Sequence, residues 1–370
     1  MLITFLVFIF ILGLLVFVHE FGHFWVAKRS GIKVHEFAFG FRPRLFSWKR
    51  GDTEYAINLL PLGGYVRLEG EDQDPSQAKK TKDSFAAQPV GVRAAVLVAG
   101  IVMNLVLAWA LLTATYSVGS LPLSPSFAEH PGLDIQPVII LADVTVGSPA
   151  QIAGLRPGDT ITAINGESLT SVQSLVSTIQ SQAGKEISLT YIRDGRTVEV
   201  HATPRENPPV GEGALGIAPQ EVSHVRAAWY RAPFIAIREV GAEIKGSFLG
   251  FIGFVQRLVV KQEVSEDVSG IIGVGALTGT VRRLGVGPLM QFMALISTNL
   301  AVINILPILP LDGGHLLFVG LEALRRKPVP EKYRQWVALA GLAAIGLLFV
   351  IVTYQDLLRF SIFDHLKSLI

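Results

Sequence analysis

Two histidines and a glutamate lie together near the start of the chain, in the sequence His19-Glu20-Phe21-Gly22-His23. Residues four positions apart share one face of a helix, so the imidazoles of His19 and His23 can converge on one metal ion. Glu20 is offset to the side, where its carboxylate can reach a water at the metal. This spacing is typical of metal-dependent hydrolases, in which the glutamate is a general base. The alternative is a pair of helix histidines with ordinary hydrogen-bond partners.

The motif follows an uncharged, apolar run from Met1 to Val18. Such a run is long enough to cross a membrane, and ionisable side chains inside a membrane span are costly and usually functional. Their position therefore argues against two ordinary helix histidines. The run lacks the basic start and the small-residue cleavage site of a signal peptide, so we expect it to be retained.

The composition indicates a membrane protein with a soluble part. Half of the 370 residues are hydrophobic, the mean hydropathy is +0.46, and only 17% of residues are charged. The chain contains no cysteine, so disulfides, thiolate ligands and cysteine nucleophiles are excluded and any metal must be held by His, Asp or Glu. The net charge of +2 gives no indication of nucleic-acid binding.

Four stretches are apolar and long enough to span a bilayer: residues 1–27, 92–118, 287–324 and 336–354. A further amphipathic stretch, residues 233–260, carries charges among Phe and Ile. We expect it to be a surface helix, with a fifth span as the alternative.

Basic residues place the loop between the first two spans, residues 28–91, in the cytoplasm and the N-terminus outside. They are Lys28, Arg29, Lys33, Arg42, Arg44, Lys79, Lys80, Lys82 and Arg93. The basic segment 325–327 agrees, whereas Arg282 and Arg283 disagree, so the alternation of four spans decides. A helix rises about 1.5 Å per residue, which puts His19 about 27 Å into a core about 30 Å thick. The metal would therefore lie near the cytoplasmic face.

A catalytic zinc needs a third protein ligand and an open coordination position. Across residues 285–321, which cover most of the third span, the ionisable residues are Asp312 and His315. An isolated carboxylate at membrane depth needs a partner. A metal held by His19 and His23 would supply one.

The same span should be interrupted close to Asp312. Pro307 and Pro310 cannot sustain a regular helix, and Gly313-Gly314 is expected to loosen it again. Unwound backbone at membrane depth faces a cavity, which is typical of a site. The alternative is a proline kink with a stray aspartate at a helix N-cap.

With these residues in place, the chain resembles the site-2 protease family of intramembrane zinc metalloproteases, in its bacterial regulated-intramembrane-proteolysis branch. HEFGH on the first span and NILPILPLDGGH on the third match two signatures of that family in the same order. The resemblance implies zinc as cofactor, with His19, His23 and Asp312 as ligands and Glu20 as general base. It also implies that Asn304 positions the substrate backbone or its oxyanion.

Three further features belong to the resemblance. His315 would support the ligands without binding the metal. Gly100 and Asn104 in the second span resemble a glycine-to-asparagine pattern of the family, although a helix-packing role fits equally well. Members often carry Gly-Pro-Ile where this chain has Gly270-Ile271-Ile272, which leaves the local turn in doubt.

The sequence of the cytoplasmic loop predicts short strands over residues 37–41, 45–48 and 55–60, around the turn Arg50-Gly51-Asp52. The family resemblance suggests a small membrane-associated sheet beside the active site. A substrate helix must be unwound before its peptide bonds can be attacked, and an exposed strand edge can hold it extended. The alternative is a hairpin that packs on lipid without contacting substrate.

Residues 134–220 alternate strand-like runs with turns and predict one soluble domain outside the membrane. The turns within 147–166, followed by a helix-like stretch from Val172 to Gln180, resemble a PDZ domain. Its usual first strand comes last, and Leu215-Gly216-Ile217 resembles the carboxylate-binding loop, which implies a circular permutation. Such a domain either binds a peptide terminus by strand addition or acts only as a steric plug.

The predicted fold class is therefore a polytopic α-helical membrane protein with about four spans, a membrane-associated β-hairpin region and one soluble PDZ-like α+β domain. The implied function is a zinc-dependent intramembrane endopeptidase of the bacterial plasma membrane. Its substrates would be single-span proteins with trimmed ectodomains, such as anti-sigma factors or signal-peptide remnants, and the PDZ domain would gate their access. The alternative is a catalytically idle PDZ-bearing scaffold or chaperone, against which the intact Glu20 argues. A zinc transporter is a weaker option, because only one polar cluster lines the bundle.

Overall fold

The computed structural model describes residues 2–71, 81–123, 127, 131–169, 171–193, 195–209, 211–261, 269–327 and 329–359. Lys79 and Lys80, two of the basic residues of the predicted cytoplasmic loop, lie outside the described residues. The helices are α1 (Leu2–Arg29), α2 (Val90–Val118), α3 (Pro149–Ile152), α4 (Val172–Ser181), α5 (Ala232–Gln256), α6 (Ile271–Arg283), α7 (Val286–Asn304), α8 (Asp312–Arg325) and α9 (Glu331–Arg359). The strands are β1 (Val34–Arg50), β2 (Thr53–Leu68), β3 (Asp134–Val144), β4 (Thr160–Ile164), β5 (Glu167–Ser168), β6 (Ile187–Arg193), β7 (Arg196–Ala202) and β8 (Ile217–Arg226).

Within the described residues, four helices are long and apolar enough to cross a membrane: α1, α2, α7 and α9. The prediction of a polytopic α-helical membrane protein is confirmed. The described chain divides into two compact units. The first comprises residues 1–111, 240–278 and 293–370, and the second comprises residues 112–239 and 279–292.

The first unit contains the helix that carries the histidine motif. The apolar sequence of α1 continues to Lys28 and Arg29, whose charges interact favourably with the helix C-terminus. Gly31 then adopts a positive φ of 75°, and the amide of Ile32 donates to the carbonyl of Ala27 at 3.0 Å. This is the glycine-dependent cap that ends many helices, and it turns the chain directly into β1.

Strands β1 and β2 fold back on themselves into a small curled sheet packed on α1. Phe37 pairs with Tyr55 on one side and with Val66 on the other. The adjacent segments are, in order, residues 44–50, 53–58, 34–39 and 64–68. The Phe24 ring of α1 lies 4.9 Å from the Phe37 ring and 5.9 Å from the Tyr55 ring, between centroids. The strands are longer than predicted, and segment 64–68 was missed because its preceding glycines are typical of turns.

Helix α6 begins at Ile271, within the Gly270-Ile271-Ile272 sequence whose turn was in doubt. The amide of Gly273 donates to the carboxylate of Asp356 on α9 at 2.8 Å. Asp356 is 1% exposed. A carboxylate that accepts from a first-turn amide stabilises a helix start, so this chain begins α6 without the family's proline.

The second unit contains the predicted soluble domain. Its strands form a sheet in the order β7-β6-β4-β3-β8, with β5 paired to β4. Ser171 caps α4 by accepting from the amide of Ser174 at 3.2 Å, and the helix buries Leu175 and Ile179 against the sheet. The last strand pairs with the first, as a permuted PDZ-like order requires, and the fold-class prediction is confirmed. Strand β8 continues to Arg226, beyond the expected boundary at residue 220.

Helix α5 corresponds to the stretch 233–260 that we expected to lie on the surface. Its acidic residues Glu239 and Glu243 are 1% and 8% exposed, whereas Phe234 and Ile237 are more than half exposed. The Thr298 hydroxyl donates to the Glu243 carboxylate at 2.7 Å. The helix therefore turns its carboxylates inward and presents an apolar face outward.

Candidate active site

Helices α1 and α8 bring three potential metal ligands together. Nε2 of His19 lies 3.2 Å from Nε2 of His23. Oδ2 of Asp312 lies 3.2 Å from the first of these nitrogens and 3.4 Å from the second. Both histidines are buried, and the Asp312 side chain is 19% exposed. The structure thus brings together the three predicted residues, although they are almost 300 positions apart in the sequence.

This triangle fits a zinc ion. Four ligands at 2.0–2.1 Å in a tetrahedron are separated from each other by about 3.3 Å. The three measured separations lie within 0.1 Å of that value. Oδ2 of Asp312 is buried and accepts no hydrogen bond from the described residues. Three electron-pair donors facing one another in this way are accounted for by a shared cation.

A break between two helices places Asp312 opposite the histidines. Helix α7 ends at Asn304, residues 305–311 are not helical, and α8 begins at Asp312. Pro307 and Pro310 lie in the break, since neither can donate a helical hydrogen bond. In a membrane-spanning segment, such a break is possible only where the freed backbone groups line a cavity or are buried in protein.

Gly313-Gly314 does not loosen the chain, contrary to our expectation. Both glycines are helical in the first turn of α8. A Cβ on Gly313 would collide with the backbone of Ile305, and one on Gly314 would lie 2.5 Å from the amide nitrogen of Leu309. The glycines let the unwound segment fold closely over the start of α8, which fixes the position of Asp312.

Helix α2 contacts both histidines from the opposite side. The carbonyl oxygen of Val96 lies 2.8 Å from Nδ1 of His23, and the Asn104 side chain lies 3.3 Å from Nδ1 of His19. Gly100 lies between these two positions, and a Cβ there would collide with both imidazoles. The resemblance had left Gly100 and Asn104 between a site and a packing role, and the structure places both against the motif.

Glu20 and Asn304 lie beside the triangle. Glu20 lines one cavity with His19, His23 and Asp312, and its carboxylate lies near the backbone amide of Val66 on β2. Nδ2 of Asn304 lies 3.4 Å from Nε2 of His19. A carboxylate and an amide therefore lie next to three potential metal ligands, which are the parts that a metal-assisted hydrolysis needs.

Several residues of the cavity were not predicted. Val96 acts through its carbonyl and Val66 through its amide, so their side-chain types carried no signal. Tyr65, Leu68 and Glu71 also line the cavity, and they follow the Gly63-Gly64 pair that concealed the strand. Strand alternation from residue 65 to 68 was the one signal available.

The remaining predicted residues lie away from the triangle. His315 lines a second cavity with Arg93 and Glu322, whose side chains form a buried ion pair at 2.7 Å. In the second unit, Leu215-Gly216-Ile217 forms the turn that leads into β8, an outer strand of the sheet. Leu215 is buried and Gly216 has a φ of 71°. The Gly216 amide donates to the carbonyl of Gly213 at 2.9 Å.

Comparison with known proteins assigns the chain. The model of peptidase family M50 matches residues 7–348. A provisionally named zinc metalloprotease of Nostoc sp. (strain PCC 7120) is 35% identical, over 92% of this chain and 93% of its own. The regulator of sigma-W protease RasP of Bacillus subtilis (strain 168) is 29% identical, over 96% of this chain and 98% of its own. The PDZ domain of an SdrC-like protein of Listeria monocytogenes covers 22% of this chain and 85% of its own, at 23% identity and a TM-score of 0.20. The multi-pass protein described above thus belongs to peptidase family M50, the site-2 protease family of metalloproteases.

Proposed function

We propose that this protein is a zinc-dependent intramembrane endopeptidase that cleaves the membrane-spanning segments of single-span proteins. The observation that carries the proposal is the triangle of His19, His23 and Asp312, with edges of 3.2–3.4 Å, whose two histidines lie on an apolar helix long enough to cross a bilayer. These three residues would hold the zinc. The zinc metalloprotease names of the relatives support the same metal.

The residues around the triangle have separate tasks in the reaction. When bound, zinc would act as a Lewis acid that polarises the scissile carbonyl. It would also make a water molecule acidic enough to lose a proton and attack that carbonyl. Glu20 takes the proton of the attacking water and passes it to the leaving amine, and the amide of Val66 lies near its carboxylate. Asn304 donates from its amide to the oxygen on which negative charge develops.

The sheet beside the site gives a place for an unwound substrate. Segment 64–68 pairs with β1 on one side, and within the described residues it has no strand on its other side. Tyr65, Val66 and Leu68 line the metal cavity. A substrate strand laid along this segment would bring its peptide bond to the metal, with its backbone hydrogen bonds transferred to the protein.

The basic residues that flank the spans indicate on which side of the membrane each part of the chain lies. We infer that the loop 28–91 is cytoplasmic, that the N-terminus and the PDZ-like domain are extracytoplasmic, and that the metal lies near the cytoplasmic face of a bacterial plasma membrane. Because the chain has no cysteine, single-cysteine variants at the exposed residues Lys49 and Ile152 can be labelled with a membrane-impermeant thiol reagent. In whole spheroplasts, we expect only the cysteine at residue 152 to be labelled. Labelling of only the cysteine at residue 49 would show the opposite orientation.

A cleavage assay tests the catalytic proposal. Purified full-length protein is mixed with a panel of membrane-anchored client helices, as wild type, Glu20→Gln, His23→Ala and Asp312→Ala. Loss of a general base costs about 10²- to 10⁴-fold in rate. We therefore expect Glu20→Gln to keep zinc and lose cleavage, and the two ligand variants to lose both.

Two outcomes would contradict this assignment. Full zinc occupancy in both ligand variants would show that these residues do not hold the zinc. A zinc-loaded wild type that cleaves no client, although it binds them, would favour the idle scaffold. Val102→Ala, at a half-exposed position on α2, is the control for a general effect of substitution in the helices.

We further propose that the PDZ-like domain restricts access to clients whose ectodomains have been trimmed. The name of the relative RasP, a regulator of sigma-W protease, supports a client connected to a sigma factor, such as a membrane-anchored anti-sigma factor. Deleting residues 134–226, which removes β8 entirely, should leave cleavage of short clients intact and admit untrimmed ones. Loss of cleavage of every client by a zinc-loaded deletion variant would instead mean that the domain delivers substrates.

A further inference from the structure

Helix α2 holds the two histidines by the ring nitrogens that face away from Asp312. His23 presents Nδ1 to the carbonyl oxygen of Val96, at 2.8 Å, and His19 presents Nδ1 to the side chain of Asn104, at 3.3 Å. The two contacting residues are eight positions apart and share one face of the helix. Gly100, halfway between them, allows the backbone of α2 to approach both rings.

The contact of His23 determines its tautomer. A carbonyl oxygen only accepts, so Nδ1 of His23 must carry the proton and donate it. In the neutral ring, Nε2 of His23 then carries the free electron pair, and it lies 3.4 Å from Oδ2 of Asp312. This is the state that a neutral imidazole needs in order to bind a metal through Nε2.

We propose that Asn104 does the same for His19, by accepting a hydrogen bond from its Nδ1 through the amide oxygen. Asn104 is fully buried, and its Oδ1 accepts no hydrogen bond from any described residue, while Nδ2 faces the imidazole. The two ends of an amide group have nearly the same shape, and their assignment depends on the hydrogen bonds available. With a metal on Nε2, the Nδ1 of His19 is a donor, so the amide must turn its oxygen toward the ring.

A second contact keeps Asn104 at this position. The hydroxyl of Ser297 on α7 donates to the backbone carbonyl of Asn104 at 2.8 Å, and Ser297 is fully buried. Ser297 and Asn304 are seven positions apart on one face of α7. The helix that carries the proposed oxyanion donor is thus tied to the residue that orients His19, which makes Asn104 a positioning residue for the metal site.

This inference rests on the proposed zinc site, and the test separates the two. The variants are Asn104→Leu, which keeps the size and loses the acceptor, and Asn104→Asp, which keeps an acceptor oxygen. Zinc affinity of the purified full-length protein is measured by competition with a chelator, and the ligand geometry is read from the visible spectrum of the cobalt-substituted protein. Removal of a residue that orients a ligand typically weakens metal binding 10- to 100-fold.

We expect Asn104→Leu to weaken zinc binding by that factor and to alter the cobalt spectrum, and Asn104→Asp to restore both. Val106→Ala, at a half-exposed position two residues further along α2, should match wild type. Wild-type zinc affinity and cobalt spectrum in Asn104→Leu would overturn the positioning role. So would equal losses in the Leu and Asp variants. Failure of the zinc site itself would appear differently, as unchanged metal binding in His23→Ala.

Discussion

Gly100 lies where α2 passes the two histidines, and its replacement by alanine gives a quantitative test of the site. A Cβ on Gly100 would lie 2.7 Å from Cε1 of His19 and at the same distance from Cε1 of His23. Carbon atoms in ordinary contact are about 3.5–4.0 Å apart, so either the rings or the helix must move by about 1 Å. Metal–ligand distances tolerate about 0.2 Å, and a displacement of about 1 Å in an active site costs about 10² in rate. Gly100→Ala should therefore lose zinc and at least that factor in cleavage.

Gly91 provides the matched control. It lies in the first turn of the same helix, is exposed, and has open space where a Cβ would be added. Alanine is favoured over glycine by about 1 kcal/mol in a helix interior, so Gly91→Ala should be neutral or stabilising. The assays are zinc content after dialysis against a chelator and cleavage of a short client. If Gly100→Ala retains zinc and cleaves as Gly91→Ala does, the close approach of α2 is not what forms the site.

Three further predictions concern the surroundings of the site and the soluble domain. Arg93→Met leaves Glu322 buried without its partner, which should cost about 3–5 kcal/mol, measured as a lower unfolding midpoint than that of the double variant with Glu322→Met. Asp356→Ala removes the acceptor at the start of α6 and should cost about 1 kcal/mol, whereas Asp356→Asn should retain most of it. Burial and the nearby Arg226 lower the pKa of His224 from its usual 6.5, with Asp134 acting in the opposite sense. The unfolded chain therefore takes up this proton at a higher pH than the folded chain does. The protection factors of the β8 amides, which are exchange rates corrected for the intrinsic rate at each pH, should therefore fall as the pH drops below about 6.5, and His224→Asn should remove part of that dependence.

The sequence pointed to the three clustered side chains more directly than to the groups that surround them. His19, His23 and Asp312 were found because ionisable residues are rare and costly in apolar segments, so each one is a signal. The groups around them could not be predicted in this way, since Val96 and Val66 contribute backbone groups that any residue type carries. The prolines gave the right place for the helix break. The glycines after Asp312 were misinterpreted because glycine permits both a flexible chain and a close approach, and the sequence does not distinguish them.

Two glycines elsewhere in the bundle, Gly22 and Gly341, connect the packing of the helices with the site. Between helices in a lipid environment, apolar burial contributes little, so close packing and hydrogen bonds must hold the bundle together. Gly22 allows α1 to meet the backbone of α2 at Ala99, and Gly341 allows α9 to meet the carbonyl of Leu309 in the unwound segment. Each of these approaches lies within a few residues of a histidine or of Asp312. The contacts that pack α1, α2 and the broken third span are therefore also the contacts that set the positions of His19, His23 and Asp312. A substitution that separates these helices by about 1 Å should abolish zinc binding before it unfolds the protein, because coordination tolerates less displacement than helix packing does.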